Sequence, residues 1–167
     1  MAALALGYVL LLAYLHYQGD ADIRRIFGGS AGLSALRDTD RVEAYRIGKI
    51  AEGNNWQEAG LSDYPITNGP MLVSQQISQE LRQTLQDRNS YEWKMSKACV
   101  TQPGVRLDFI RRNDRLSVLL CFECNILENF LNDKPVGGED FDYARPTLVR
   151  IVRKLFPDDP KIQSLSE

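Results

Sequence analysis

Residues 2–17 form an apolar segment without a charged side chain. A helix on the surface of a globular protein shows polar side chains every three to four residues, whereas this segment shows none before His16. As a helix it would be about 25 Å long, at the short end of what crosses the hydrocarbon core of a bilayer. We therefore predict a membrane anchor over residues 1–18. A cleaved export signal and a buried core helix are the alternatives.

Shorter elements follow this segment. Residues 19–40 contain many Gly, Ser, Thr and Asp residues and predict a linker with short amphipathic turns. Residues 41–47 alternate in polarity, which indicates a β-strand, whereas the Gly, Asn and Pro residues of 48–70 indicate an irregular loop. Between residues 71 and 87, apolar side chains recur at helical spacing and glutamines fill the opposite face. This pattern predicts an amphipathic helix over 71–87.

The alternation between residues 105 and 122 predicts a β-hairpin. A two-residue turn at Asn113-Asp114 would place six apolar side chains opposite one another on one face of the two strands. The resulting pairs are Phe109 with Val118, Leu107 with Leu120, and Val105 with Phe122. Residues 126–131 then continue into a bend or a further strand.

The chain ends in a second amphipathic helix, which we place at residues 143–155. Asp142 is its expected N-cap and Pro157 its end, and Asp159-Pro160 predicts the start of one last short turn. The order of elements indicates an α+β fold, in which a small antiparallel sheet with the hairpin at about 105–123 is covered by helices. We expect this domain to span residues 41–167.

Composition and charge narrow the possible functions. The chain has 20 Lys and Arg against 22 Asp and Glu, a formal net charge of −2, which disfavours a general nucleic-acid binder. The sequence contains a single histidine, His16. Phosphate-binding glycine loops, serine-hydrolase elbows and zinc-protease motifs are absent from the sequence. These observations favour a non-enzymatic protein, and we expect no catalytic residues, no metal and no cofactor.

The three cysteines carry the only candidate chemistry. Cys99, Cys121 and Cys124 are spaced C-x21-C-x2-C. A structural disulfide from Cys99 to Cys121 or Cys124 would suit an exported domain and would leave one thiol free. The Cys121-Phe-Glu-Cys124 spacing also suggests thiol–disulfide exchange, although two cysteines three residues apart in an extended strand lie too far apart to bond. Three reduced thiols in a cytoplasmic domain, or a zinc site lacking its fourth ligand, are the remaining alternatives.

A short motif surrounds these cysteines. Lys97-Ala-Cys99 is followed by Pro103, the hairpin, Cys121-Phe-Glu-Cys124 and a terminal helix that ends in Leu155-Phe156-Pro157. This arrangement resembles a group of bacterial proteins of unknown activity that combine a hydrophobic N-terminus with a K-x-C…P…C-F-x-C core. The resemblance covers residues 97–165. It implies that the three cysteines belong together, and it implies no activity.

The sequence is therefore compatible with three functions. We expect a membrane-anchored extracytoplasmic domain with a structural or protein-interaction role. It contacts the membrane through residues 2–17, and the sequence does not identify a protein partner. A membrane-tethered thiol redox protein that uses Cys121 and Cys124 is the first alternative, and a soluble cytoplasmic α+β protein is the second. Arg24 and Arg25 behind the apolar segment favour the cytoplasmic side, whereas a disulfide would favour the opposite side.

Overall fold

The fold is an α+β arrangement built on a six-stranded, entirely antiparallel sheet, as the sequence predicts. A computed structural model describes residues 21–50, 59–95 and 97–167. Across the sheet the strands run in the order β2-β1-β3-β4-β5-β6. Their bounds are β1 Arg41–Ile47, β2 Ile66–Leu72, β3 Val105–Arg111, β4 Asp114–Cys121, β5 Ile126–Leu131 and β6 Lys134–Asp140.

Among the described residues, four complete helices accompany the sheet, and residues 21–26 are also helical. The helices are α1 Gly29–Arg37, α2 Gln75–Gln86, α3 Arg145–Leu155 and α4 Pro160–Gln163. Single 3-10 turns lie at Leu61–Asp63, Arg88–Ser90 and Asp142–Ala144. Asp159 caps α4 as predicted, because its carboxylate accepts hydrogen bonds from the backbone N–H groups of Lys161 and Ile162.

Both faces of the sheet are covered by apolar side chains. The main core lies between the sheet and the helices, and α1 packs directly on β3 and β4. It includes alternate strand residues such as Leu107 and Leu120, each 0% exposed. A smaller cluster occupies the opposite face and contains Tyr45, Ile47, Leu61, Tyr64, Leu119 and Phe130. The sheet is therefore buried on two sides. For this reason β4 ends in a continuous apolar run, Val118 to Cys121, whereas β3 alternates and places the polar side chains of Arg106 and Asp108 on the second face.

The smaller cluster also contains a buried ion pair. Arg106 donates two hydrogen bonds to Asp108, at 2.7 and 2.5 Å, and both residues are less than 10% exposed. The guanidinium of Arg106 lies 5.1 Å from the ring centroid of Tyr45. Tyr45 donates its hydroxyl hydrogen to Glu43, and burial together with this carboxylate raises the pKa of Tyr45 to about 12. Paired charges and hydrogen bonds are what allow polar side chains to occupy this buried face.

The hairpin exists, but the predicted pairing is wrong by two residues. Leu107 pairs with Val118 rather than Leu120, and the turn residues are Arg112 and Asn113 rather than Asn113 and Asp114. A slip of two residues keeps every apolar side chain on the same face, because the side-chain period of a strand is two. The hydrophobic pattern therefore cannot distinguish the two registers, and the turn decides between them.

A further hairpin joins β5 to β6 at Asn132 and Asp133. Both residues have positive φ, 50° and 68°. A two-residue turn of this kind matches the right-handed twist of the flanking strands and favours Asn and Asp, which tolerate the left-handed conformation. The bend or strand predicted after residue 126 is thus a complete strand followed by a tight turn.

Three predicted boundaries differ from the structure. The amphipathic helix begins at Gln75, after the N-cap Ser74, and not at residue 71. The end of the predicted loop, Ile66–Leu72, is the edge strand β2; its residues are mostly exposed and include Gly69 and Pro70, so it shows no alternation. Asp142 does not cap the terminal helix, because a 3-10 turn precedes Arg145 and Ala144 stands at the N-cap.

The segment predicted as a linker, residues 19–40, contributes to the core where it is described. Ile26, Phe27 and Leu36 are at most 1% exposed. Gly28 has a φ of 77° and lies so close to Val136 that a Cβ there would meet its side chain at 2.8 Å, so the turn before α1 requires glycine. Gly28 therefore serves a tight turn and a close approach to β6.

The predicted membrane anchor, residues 1–18, lies outside the described residues. Within residues 21–50, 59–95 and 97–167, none of the helices combines the length and the apolar character needed to cross a bilayer.

Candidate functional site around the Cys99–Cys124 disulfide

The structure pairs Cys99 with Cys124, one of the two pairings that the sequence leaves open. Cys99 lies in the extended segment before β3, and Cys124 lies in the turn that joins β4 to β5. Their Cα atoms are 6.3 Å apart, within the usual range for a disulfide, and 25 positions separate them in sequence. The bond therefore joins the entry to the hairpin with the turn at its exit.

The third cysteine, Cys121, is a buried free thiol at the end of β4. Its sulfur accepts a hydrogen bond from the backbone N–H of Gln102 at 3.3 Å. The chain turns immediately after Cys121, so the extended geometry assumed from the sequence does not continue to Cys124. Even so, Cys124 is bonded to Cys99 and not to Cys121.

Lys97 ties the motif to the start of the terminal helix. Its ammonium group donates to the backbone carbonyl of Cys124 at 2.8 Å and to both carboxylate oxygens of Asp142 at 2.8 and 2.6 Å. Asn125, which has a φ of 58°, donates its side-chain amide to the same carboxylate at 2.8 Å. The Lys of the K-x-C motif thus holds the turn that contains the second cysteine.

Arg145 completes this network from the first position of α3. Its guanidinium donates to the carbonyl oxygen of Phe122 at 2.6 Å and also to the side-chain oxygen of Asn125. The ring of Phe122 meets that of Phe141 edge to face, with centroids 5.6 Å apart. The two intervening residues of the C-F-x-C motif therefore belong to a turn that is fixed by side chains from three separate segments.

The two carboxyl groups beside Lys97 have opposite electrostatic environments. Burial works against ionisation of Asp142, but the hydrogen bonds from Lys97 and Asn125 outweigh it and hold the pKa of Asp142 below its ordinary value. Burial raises the pKa of Asp140, and Lys97, whose nitrogen lies 3.8 Å from the carboxylate, offsets this only in part. The network thus stabilises the charged form of Asp142 more than that of Asp140.

A surface groove adjoins this network and has a volume of about 470 Å³. The two regions meet where the hydroxyl of Tyr143 donates to the carboxylate of Glu92 at 2.7 Å. The side chains that line the groove come from three distant parts of the chain: Asp22, Arg25, Arg88, Tyr91, Glu92, Trp93, Lys94 and Tyr143. The sequence alone cannot bring Arg25 to Trp93 and Tyr91, because no local pattern links positions so far apart.

Two guanidinium groups lie close to the ring of Trp93 in this groove. Arg88 is 5.4 Å and Arg25 is 6.0 Å from the centroid of its ring, and the indole N–H donates to the carbonyl oxygen of Arg88 at 2.8 Å. Asp22 accepts from Arg88 at 3.0 Å. Tyr91 is fully buried beneath them, where its hydroxyl donates to the carbonyl oxygen of Leu85. The groove thus places three cations around an aromatic ring, with the carboxylates of Asp22 and Glu92 beside them.

Comparison with protein families, curated proteins and solved structures gave no match. In the part of the chain that is described, the structure shows no group of three or more His, Cys, Asp or Glu side chains placed to hold a metal ion. The polar side chains around the disulfide bind carbonyl oxygens and carboxylates of the fold itself. This arrangement can staple the molecule, and its hydrogen bonds serve that purpose.

Proposed function

We propose that this protein is a disulfide-stapled domain that residues 2–17 tether to a membrane, and that it acts on the extracytoplasmic side in a structural or protein-interaction role. The observation that carries the proposal is the pairing of Cys99 with Cys124. Stable disulfides form in oxidising compartments and are rare in the cytosol. The apolar segment ahead of the domain supplies a route to the membrane.

The network around the disulfide supports a structural role for the cysteines. Lys97 and Arg145 both donate to backbone carbonyls of the turn that holds Cys124. A disulfide embedded in such a network stabilises the fold, whereas a catalytic disulfide needs a reactive thiolate close to the solvent. Thiol exchange between Cys121 and Cys124 has less support, because Cys124 is bonded to Cys99 and Cys121 is buried.

The experiment uses the full chain, expressed in a bacterium with an oxidising periplasm. Membranes are floated on a gradient, intact spheroplasts are treated with protease, and thiols are alkylated without reductant before mass spectrometry. We expect the chain in the membrane fraction, its domain degraded in intact spheroplasts, Cys99 linked to Cys124, and only Cys121 alkylated after denaturation. The matched variant Cys121→Ala should leave no alkylated cysteine.

Other outcomes would contradict the proposal. Three alkylated cysteines together with protection from protease would place the domain in the cytoplasm. A bond between Cys121 and Cys124 would favour the redox protein. Release of the full chain into the soluble fraction would exclude the tether.

A further inference from the structure

We propose that the groove around Trp93 is a headgroup-binding patch, which lays the domain against the anionic surface of the membrane that holds its anchor. The patch consists of Arg25, Arg88, Trp93, Lys94 and Tyr143. This inference rests on the proposed membrane tether and deepens it, because it states which face of the domain meets the lipid.

The connection between the apolar segment and the domain is short. Three residues, Gln18 to Asp20, separate the apolar segment from residue 21, and three extended residues reach only about 10 Å. Residues 21–26 are already helical, and Ile23 and Ile26 are buried at 3% and 1% exposure, so this helix belongs to the domain. Arg25 lies on this helix and lines the groove. The patch is therefore on the side of the domain from which the tether leaves.

The cations of the groove are more exposed than the carboxylates with which they pair. The side chains of Arg25 and Arg88 are 64% and 49% exposed, whereas their partners Asp22 and Glu139 are 31% and 18% exposed. Lys94 is also exposed. The carboxylates of Asp22 and Glu139 are thus less exposed than the cations they pair with, and the three cations outnumber Glu92, the remaining carboxylate of the groove, so its exposed charge is mainly positive. Cations placed this close to a bilayer are attracted by anionic headgroups.

Side chains with apolar character are exposed at the edge of the groove. Tyr143 is 64% exposed and Met95, next to Lys94, is 67% exposed. The ring of Trp93 lies beside Arg25 and Arg88 and lines the groove. Tryptophan and tyrosine are enriched at the level of the headgroups, because their rings are apolar and their polar atoms remain hydrated. Cations, a tryptophan and a tyrosine around one groove, with an exposed methionine next in sequence to Lys94, match that boundary.

The experiment places the full chain in liposomes and reads the depth of Trp93. Of the two tryptophans, Trp56 is replaced by Phe in all samples, so that Trp93 is the only source of the emission. Liposomes contain phosphatidylcholine alone or phosphatidylcholine with about a third phosphatidylglycerol, and in each case part of the lipid is brominated near the headgroup end of its acyl chains. We expect bromine to quench Trp93 strongly in the anionic liposomes, and less in the neutral ones or at high salt.

Charge reversal tests the patch itself. Lys94→Glu and Arg25→Glu should each lower the docked population about fivefold in anionic liposomes and thereby weaken the quenching. Lys134→Glu is the matched control: Lys134 is exposed in the β5–β6 hairpin, at the end of β6 remote from Asp140 and the patch, and its reversal should leave the quenching unchanged. Circular dichroism and detection of the Cys99–Cys124 bond verify that each variant is folded. Because Lys94 is exposed, its variant tests the patch without breaking the contacts that Arg25 makes.

The outcomes separate the two proposals. Failure of the full chain to float with either liposome would overturn the membrane tether. Floating with no quenching of Trp93, or with equal quenching in neutral and anionic liposomes, would overturn the headgroup patch and leave the tether intact. Quenching that Lys94→Glu and Lys134→Glu reduce equally would show that net charge and not this patch orients the domain.

Discussion

Leu119 and Leu120 are neighbours on β4, point to opposite faces of the sheet, and are both 0% exposed. From the sequence we expect an aspartate at Leu120 to be severely destabilising and one at Leu119 to be milder, because only the first face is expected to be well covered. The structure changes this expectation, since Leu119 belongs to the cluster on the second face with Tyr64 and Phe130. Burial of a residue depends on what packs against it, and β4 is covered on both faces of the sheet.

We therefore expect Leu119→Asp and Leu120→Asp to be comparably destabilising, each by about 3 kcal/mol or more, because either change buries a carboxylate without a partner. Leu72→Asp is the control, since Leu72 is 75% exposed on the edge strand and should lose less than about 0.5 kcal/mol. Urea unfolding measures all three. A Leu119 variant close to wild type would show that the second face is open to water.

Asp142 gives a second prediction at this scale. Its pKa is lowered in the folded state, because the hydrogen bonds from Lys97 and Asn125 outweigh its burial. A carboxyl group with a lowered pKa contributes stability above its unfolded pKa, near 4, and loses that contribution as the pH falls through its folded pKa. Melting temperatures between pH 6 and pH 2 should therefore drop on the acid side, with a shallower drop in Asp142→Asn.

The Asn variant should also melt at a lower temperature than wild type at pH 6. Asp158→Asn, which removes the same charge at an exposed position, should leave the acid limb as steep as in wild type. An acid limb of equal slope in wild type and Asp142→Asn would contradict the assigned role of Lys97.

Among the elements, the β3–β4 hairpin offers a test of register. Arg112 has a φ of 53°, a conformation that glycine adopts at much lower cost than arginine, and its backbone N–H donates to Asp40 at 2.7 Å. Arg112→Gly keeps that hydrogen bond and should stabilise the protein by about 0.5–1 kcal/mol. Asp114→Gly should destabilise it, because Asp114 is the first residue of β4. If thermal unfolding instead shows that Arg112→Gly destabilises the protein and Asp114→Gly stabilises it, the turn lies at Asn113-Asp114.

The disulfide joins two elements, and its removal should be measurable in their stability. The bond closes a loop of 25 positions, for which lost chain entropy predicts about 3.5 kcal/mol. Cys99→Ser should lower the melting temperature of oxidised protein strongly and that of reduced protein little. Cys121→Ala, which removes a buried thiol without breaking a bond, should have the same effect with and without reductant. Equal losses for Cys99→Ser in both states would show that the bond does not form.

At the scale of the whole molecule, the folded domain begins at or before residue 23. Ile23, Ile26 and Phe27 are at most 3% exposed and belong to the main core. Deletion of residues 1–19 should release the chain from the membrane and leave its melting temperature within a few degrees of the full chain. Deletion of residues 1–28 should abolish cooperative unfolding, because it removes these three side chains from the core. A stable shorter fragment would return this segment to the role of a linker.

Periodicity in the sequence determined those features that depend on which face a side chain takes. The strand at residues 41–47, the apolar face of the hairpin and the α+β class follow from periods of two and 3.6 residues, which the backbone imposes locally. Tertiary structure decided the rest. The hairpin register differs from a slipped one by two residues with an identical hydrophobic pattern, so only the turn at Arg112 selects it.

Tertiary structure also decided the contacts between distant parts of the chain. Strand β2 has mostly exposed residues and a proline, so its pairing with β1 is the only sign that it is a strand. Spacing allows Cys99 two partners, and the turn after Cys121 brings Cys124 to it. The groove around Trp93 joins side chains from three segments that lie about 50 to about 120 positions apart in sequence, including Asp22 and Tyr143. A local sequence pattern cannot reveal such proximity, because it arises only from the packing of the helix at 21–26 against the sheet.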